Sequence, residues 1–170
     1  MRRNVLIAMS ALLLGLAGVV SVSAVSQASD DSATKSRTLA FDVRFSPLTV
    51  IDANNVRDPN APFSLGDEIV FHDLLFLQGK QVGDDAGSCV LVALAPEVLA
   101  NCTAMFRLPD GDISTQFSSS PGPAPKALAL TGGTGAYRNI GGEGSLVEFG
   151  DETGTVTFQV LSFRARGEQN

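Results

Sequence analysis

The sequence predicts an all-β domain, either a sandwich or a closed barrel. Three observations carry that reading. Apolar residues recur at every second position in short segments, turn chemistry divides those segments, and no stretch has the spacing of an amphipathic helix of useful length. Many short strands with regular turns are the mark of sandwiches and barrels.

The segments follow in order. From Leu39 to Phe45 the apolar positions are Leu39, Phe41, Val43 and Phe45, with Asp42 and Arg44 between them, the pattern of a strand with one buried face. Similar segments cover about 48 to 54, 67 to 77, 86 to 94, 98 to 108, 112 to 118, 126 to 131, 143 to 149 and 154 to 163. Pro109-Asp110-Gly111-Asp112 is a turn between two of them, and Asp151-Glu152-Thr153-Gly154 separates the last pair. Asp110 and Asp112 also suggest calcium, but the spacing of an EF-hand loop is missing and the turn is the better reading. No set of His, Cys and acidic residues has metal-ligand spacing, so neither a metal nor a cofactor is expected.

One pair of segments argues for closure. Between Val90 and Phe106 both alternating faces are largely apolar: Leu91, Ala93, Val98, Ala100, Ala104 and Phe106 on one, Val90, Val92, Leu94, Leu99 and Met105 on the other. A sheet buried on both faces needs cover on both. A barrel lumen covers one, and a neighbouring subunit covers the other.

The chain opens MRRNVLIAMSALLLGLAGVVSVSA, two arginines followed by an apolar run and small residues, which is the make-up of a cleaved secretory signal. Residues 1–28 are expected to be this signal, cut after Ala28 with Ala24 as second choice, residues 29–38 a disordered linker, and residues 39–170 the exported barrel domain. The run DDSATKSRT lacks the basic flank of a retained anchor. Removing two arginines and no acids leaves 10 basic against 18 acidic residues, so the net charge moves from −6 to −8. Such a surface repels polyphosphates, and no basic cluster with interleaved aromatics is present, which argues against nucleic acid as a partner.

Cys89 and Cys102 are the only cysteines, and they flank the turn at Ala95-Pro96. If Leu94 pairs with Glu97 across a two-residue loop, paired positions sum to 191, and 89 and 102 share that sum. The two then face each other at a separation that a disulfide tolerates, and an exported chain favours the bridge. Two buried free thiols, or one reactive thiol in a pocket, are the alternatives.

The run TGGTGAYRNIGGEG, Thr131 to Gly144, invites a phosphate-cradle reading. A dinucleotide fingerprint needs a third glycine where Arg138 stands and a helix behind it, and a P-loop needs Lys then Ser or Thr after its last glycine. Neither pattern is met, and the glycines need another role.

The run SLGDEIVFHDLLFLQGKQVGDDAGSCVLVALAPE, the strand to Phe106, and LALTGGTGAYRNIGGEG together resemble the allene oxide cyclase and dirigent superfamily, in its bacterial allene oxide cyclase barrel-like branch. The most telling pieces are Gly66-Asp67 leading into Val70-Phe71, Val82-Gly83 before Ala86-Gly87, and Gly132-Gly133-Thr134-Gly135 with Tyr137 behind it. The resemblance covers most of residues 48–160. It implies an eight-stranded antiparallel up-and-down barrel, usually trimeric, whose apolar lumen holds a small molecule. The glycines then become turn and strand-packing positions. Allene oxide cyclases close an unsaturated fatty-acid epoxide, and dirigent proteins steer phenolic radicals or quinone methides. In both the pocket works mainly by orientation.

The same resemblance nominates residues. Asp52-Ala53-Asn54 matches an acid-x-Asn pair of the cyclases, with Asp for Glu. Asp73 stands where the cyclases have a water-binding Asn and the dirigent proteins an Asp, Arg138 matches a dirigent arginine, and Cys89 corresponds to a pocket cysteine of the cyclases that a disulfide would take out of service. The implied catalytic set is Asp73, Asp52, Asn54 and Arg138, and the implied ligand wall is Phe71, Leu75, Leu91 and Phe106. Plainer readings stand beside these: Asp52 and Asn54 as solvated turn residues, Arg138 as a surface partner of Glu143, and the sole histidine, His72, as an exterior residue. Asp73 alternates with Phe71 and Leu75 on an apolar face, where a carboxylate needs a partner or a raised pKa. Three functions compete: an exported cyclase or coupling director acting on an apolar or phenolic small molecule, a noncatalytic carrier of such a molecule, and a structural barrel whose outer face only assembles subunits.

Overall fold

The computed structural model describes residues 35–54 and 63–162, so the expected signal, residues 1–28, lies outside the described residues. Among the described residues the strands are β1 (Lys35–Arg44), β2 (Thr49–Ile51), β3 (Glu68–Leu77), β4 (Lys80–Ala93), β5 (Leu99–Leu108), β6 (Gly111–Ser119), β7 (Lys126–Gly133), β8 (Ile140–Glu148) and β9 (Thr153–Ser162), with one 3₁₀ turn at Gly135–Tyr137. Each strand from β3 to β9 pairs antiparallel with the next, β9 pairs with β1, and β1 closes the ring on β3 through Asp42↔Phe76, Val43↔Leu75 and Arg44↔Leu74.

Nine segments make eight walls, because β2 continues along the edge of β3 that β1 leaves: Thr49↔Val70, Val50↔Ile69 and Ile51↔Glu68. β1 and β2 are one wall strand broken over residues 45–48. Pro47 lies in the break and has no N–H to give a ladder. Two of the remaining amides there find partners across the wall. Phe45 N–H donates to Glu152 O at 2.8 Å, and Ser46 N–H donates to Asp73 Oδ1 at 2.8 Å.

The structure moves several boundaries. β4 starts at Lys80 rather than near 86, because Gln78 and Gly79, with φ of 52° and 77°, reverse the chain at once. β1 starts at Lys35, inside the stretch expected to be linker: residues 35–38 have no apolar alternation to read, and it is the ladder to Ser162–Gln159 that holds them. The segment expected at 48 to 54 is strand only over Thr49–Ile51.

Cys89 and Cys102 are paired across β4 and β5 and joined by a disulfide, with Cα atoms 4.0 Å apart. The expected sum of 191 holds, but not the expected two-residue loop. β4 ends at Ala93, the Ala95-Pro96 peptide is cis, and an irregularity between Leu91 and Ala93 takes up the difference before β5 begins at Leu99.

The inner faces alternate as period two requires. At the end of the barrel near the β3–β4, β5–β6 and β7–β8 connections the interior is packed solid. Leu75, Ile113, Val156 and Phe158 are wholly buried, and Phe106 meets Phe158 edge-on with ring centroids 4.8 Å apart. Tyr137 of the 3₁₀ turn and Ile140 are buried there too. On the outside of β4, β5 and the turn between them, Val90, Val92, Leu94 and Met105 are exposed.

Several glycines serve this packing by leaving room for rings. A Cβ on Gly87 would stand 2.5 Å from Phe71 Cζ and 2.4 Å from Thr103 O, one on Gly144 2.8 Å from the Phe158 ring, and one on Gly154 2.8 Å from the Phe45 ring. In the run that resembled a phosphate cradle, Gly135 adopts φ +56° where the 3₁₀ turn begins, and a Cβ on Gly133 would strike Asp112 O at 2.4 Å. These are turn and close-approach positions.

Candidate functional site: an acid pair in a one-ended lumen

At the other end, where the β4–β5, β6–β7 and β8–β9 connections lie, the interior stays open. A cavity of about 290 Å³ enters there, near the low end of the range for small-molecule sites. Its wall is mostly apolar and includes five phenylalanines, Phe45, Phe63, Phe71, Phe106 and Phe117.

Into this wall the alternation of two neighbouring strands brings a pair of acids. On β3 the inner face carries Phe71, Asp73 and Leu75, and on β4 it carries Asp85, Gly87, Cys89 and Leu91. Asp73 and Asp85 are direct cross-strand partners, and both line the cavity while being only 5% and 4% exposed. Asp73 is anchored by the Ser46 amide at the wall break. Asp85 Oδ1 is buried with no hydrogen-bond partner among the described residues.

Burial pushes the Asp85 carboxyl up to about 7, with the neighbouring charge of Asp73 and then that of Asp84 adding to it, while a bond from the Asp73 backbone acts the other way. Burial also raises Asp73, with Glu148 adding to the rise and the Ser46 N–H and His72 opposing it. Two carboxyls this close titrate as a pair, and near neutrality the pair retains a proton with Asp85 as its holder.

A cation stands farther up the wall. Lys126, the first residue of β7, is 8% exposed; its Nζ lies 3.0 Å from Glu148 Oε1, at the end of β8, and donates to Gly122 O at 3.3 Å. Lys126 and Glu148 both line the cavity. The lip is tied by Asp67, 3% exposed, which accepts from Ser64 N–H (2.7 Å), Ser64 O–H (2.7 Å) and Ala53 N–H (3.1 Å). The Ser64 bonds hold its carboxyl below the usual range.

The residues nominated by sequence part company here. Asp73, Phe71, Leu91 and Phe106 line the cavity, and so does Cys89, its sulfur committed to the disulfide. Leu75 lies in the packed end, wholly buried. Asp52 and Asn54 follow β2 at the lip, where Asp52 Oδ1 accepts from Asn54 N–H at 3.0 Å and Asn54 Nδ2 donates to Ser64 Oγ at 3.0 Å. Arg138 is exposed after the 3₁₀ turn, at the end opposite the mouth. Neither Asp52, Asn54 nor Arg138 is among the residues lining the cavity. His72 is outside, 3.3 Å from Arg107 and 3.6 Å from Asp84.

Sequence reasoning missed Asp85, Lys126 and Glu148. The signal for Asp85 was the step of two back from Cys89 through Gly87, hidden because the strand was expected to begin only near 86. Lys126 alternates with Leu128 and Leu130, and Glu148 with Leu146, so period two puts each on the apolar face of its strand.

A family model described as the allene oxide cyclase barrel like domain matches residues 48–161. The chain belongs to that family. The matched span of this allene oxide cyclase barrel-like chain contains every residue named here as lining the cavity except Phe45. Among curated proteins none matches it. Solved structures share its fold. Pyocyanin demethylase is 27% identical with a TM-score of 0.64, covering 73% of this chain and 99% of its own. A nonspecific heme-binding cyclase that catalyses 4 + 2 cycloaddition during neoabyssomicin biosynthesis is 17% identical with a TM-score of 0.62, covering 78% and 68%. The pterocarpan synthase dirigent protein is 20% identical with a TM-score of 0.54, covering 81% and 89%.

Proposed function

We propose that this barrel takes an apolar or phenolic small molecule into its open end and steers its cyclisation or coupling, an isomerase-type reaction with no covalent intermediate on the protein. One observation carries the proposal: two paired carboxyls, one with an oxygen lacking any partner among the described residues, face a mostly apolar cavity closed at its far end. A rigid apolar wall selects one folded shape of a flexible substrate, and orientation alone lowers a barrier by several kcal/mol. Asp85, holding its proton near neutrality, donates a hydrogen bond to a substrate oxygen that gains negative charge, and Asp73 accepts the proton the substrate gives up. The cycloaddition cyclase and the dirigent protein that share the fold support the same use of the lumen.

Export and self-association belong to the proposal. The Cys89–Cys102 bridge supports an oxidising compartment, and the exposed Val90, Val92 and Met105 support a second subunit on that face, with a trimer as the expected assembly.

The test uses an ortho-quinone methide, generated in the assay from a phenol with a pendant hydroxyl, and measures the enantiomeric excess of the ring-closed product. The wild-type chain is expected to give an enriched enantiomer. Asp73→Asn, which keeps an acceptor for the Ser46 amide, is expected to return the product to the racemate with the circular dichroism spectrum unchanged. A racemic product from the wild type, together with probe recovered unchanged in native mass spectrometry, would establish the carrier reading instead.

A further inference from the structure

We propose that the lumen is selective for an aromatic cation: a flat small molecule carrying a quaternised or protonated ring nitrogen, its faces against the phenylalanines and its charge at the free oxygen of Asp85. This rests on the lumen being the ligand site, as proposed above, but not on any turnover.

The first ground is sign. Among the described residues three acids line the cavity, Asp73, Asp85 and Glu148, against one ammonium, Lys126, which is already engaged by Glu148 and by Gly122 O. The second is the orphan acceptor. Asp85 is 4% exposed and its Oδ1 has no partner among the described residues, and a buried polar atom of this kind is satisfied when a ligand completes it. The third is the wall. Phe45, Phe63, Phe71, Phe106 and Phe117 present rings, whose faces attract cations most strongly where water is excluded. An anion meets the opposite field on every count, and a neutral molecule gains only the burial.

The neighbours of Asp85 fix how the preference depends on pH. Asp73 faces it from β3 and Phe106 from β5, Asp84 adjoins it on β4, Glu148 of β8 acts on the pair through Asp73, and Lys126 of β7 is held by Glu148. Among the described residues no cation sits directly on the carboxyl, so an arriving one expels its proton. Affinity for a permanently charged ligand therefore rises with pH through about 7 and then levels.

The experiment titrates the full chain with three fluorescent probes of one shape, 10-methylacridinium, acridine and acridine-9-carboxylate. At pH 8 methylacridinium is expected to bind about tenfold tighter than acridine, the scale of one desolvated cation–π or ion-pair contact, with the carboxylate weakest. Its affinity should fall by a similar factor at pH 5.5. Asp85→Asn should abolish both the advantage and the pH dependence while still binding acridine, which shows the lumen intact. Equal or weaker binding of the cation, an advantage that survives in Asp85→Asn, or no binding of any probe overturns the proposal. Cation preference without stereocontrolled ring closure leaves it standing and removes the catalytic reading, and ring closure without cation preference does the reverse.

Discussion

Replacing Asp85 by asparagine should make the protein more stable at alkaline pH and leave the gain small in acid. The sign follows from where the proton resides. In the unfolded chain the carboxyl titrates near its ordinary 3.8, and in the folded chain burial and Asp73 carry it to about 7. Below 3.8 both states hold the proton and pH has no lever. Between 3.8 and about 7 the unfolded chain releases it while the folded chain keeps it, so folding stability falls as pH rises, and above 7 the loss is complete. Each pH unit in that interval is worth about 1.4 kcal/mol, so the whole comes to about 4 kcal/mol. Asparagine has no such slope. Urea unfolding at pH 4.5 and pH 8.5 should show the variant gaining on the wild type by an amount of this order, which at a slope of about 1–3 kcal/mol/M moves the midpoint by more than 1 M. Asp73, raised in the same direction, adds to the wild-type slope. A difference between the two proteins that is the same at both pH values, or a wild type that gains relative to the variant on the alkaline side, refutes the reasoning.

Other perturbations follow from the same packing. Gly87→Ala places a methyl against both the Phe71 ring and Thr103 O, so thermal melting should drop by the equivalent of about 1–3 kcal/mol and acridine binding should weaken as the ring moves inward; an unaltered melt with unaltered binding contradicts this. Converting Cys89 and Cys102 together to alanine removes a cross-link spanning 13 positions, with an expected loss of about 3 kcal/mol in urea unfolding, and equal stability of the two proteins would show that the bridge does not restrain the unfolded chain. Asp67→Ala releases the Ser64 and Ala53 amides, and limited proteolysis should then cut near Phe63–Leu65 at rates the wild type does not show.

The all-β class was legible because period two survives wherever an inner face is greasy, as in Leu39 to Phe45 and Ala100 to Phe106. It failed where polar side chains occupy both faces. Lys80 to Asp85 looked like loop although they form the first half of β4, and that error concealed Asp85, whose importance depends on a neighbour contributed by another strand. Asp73 was visible as a carboxylate out of place among Phe71 and Leu75, yet its hold on the Ser46 amide is a property of the closed ring and has no local trace. Arg138 shows the opposite case. A motif placed it correctly at the glycine-rich connection, and only the direction in which β7 runs decides that this connection lies at the sealed end.

The two places where a strand gives up its side chain beneath a ring that lines the chamber, Gly87 under Phe71 and Gly154 under Phe45, also make the chamber adjustable. Its capacity is written in missing atoms. A single carbon added at either seat would strike an aromatic plate of the wall, so the girth of the guest is limited by residues that never touch it.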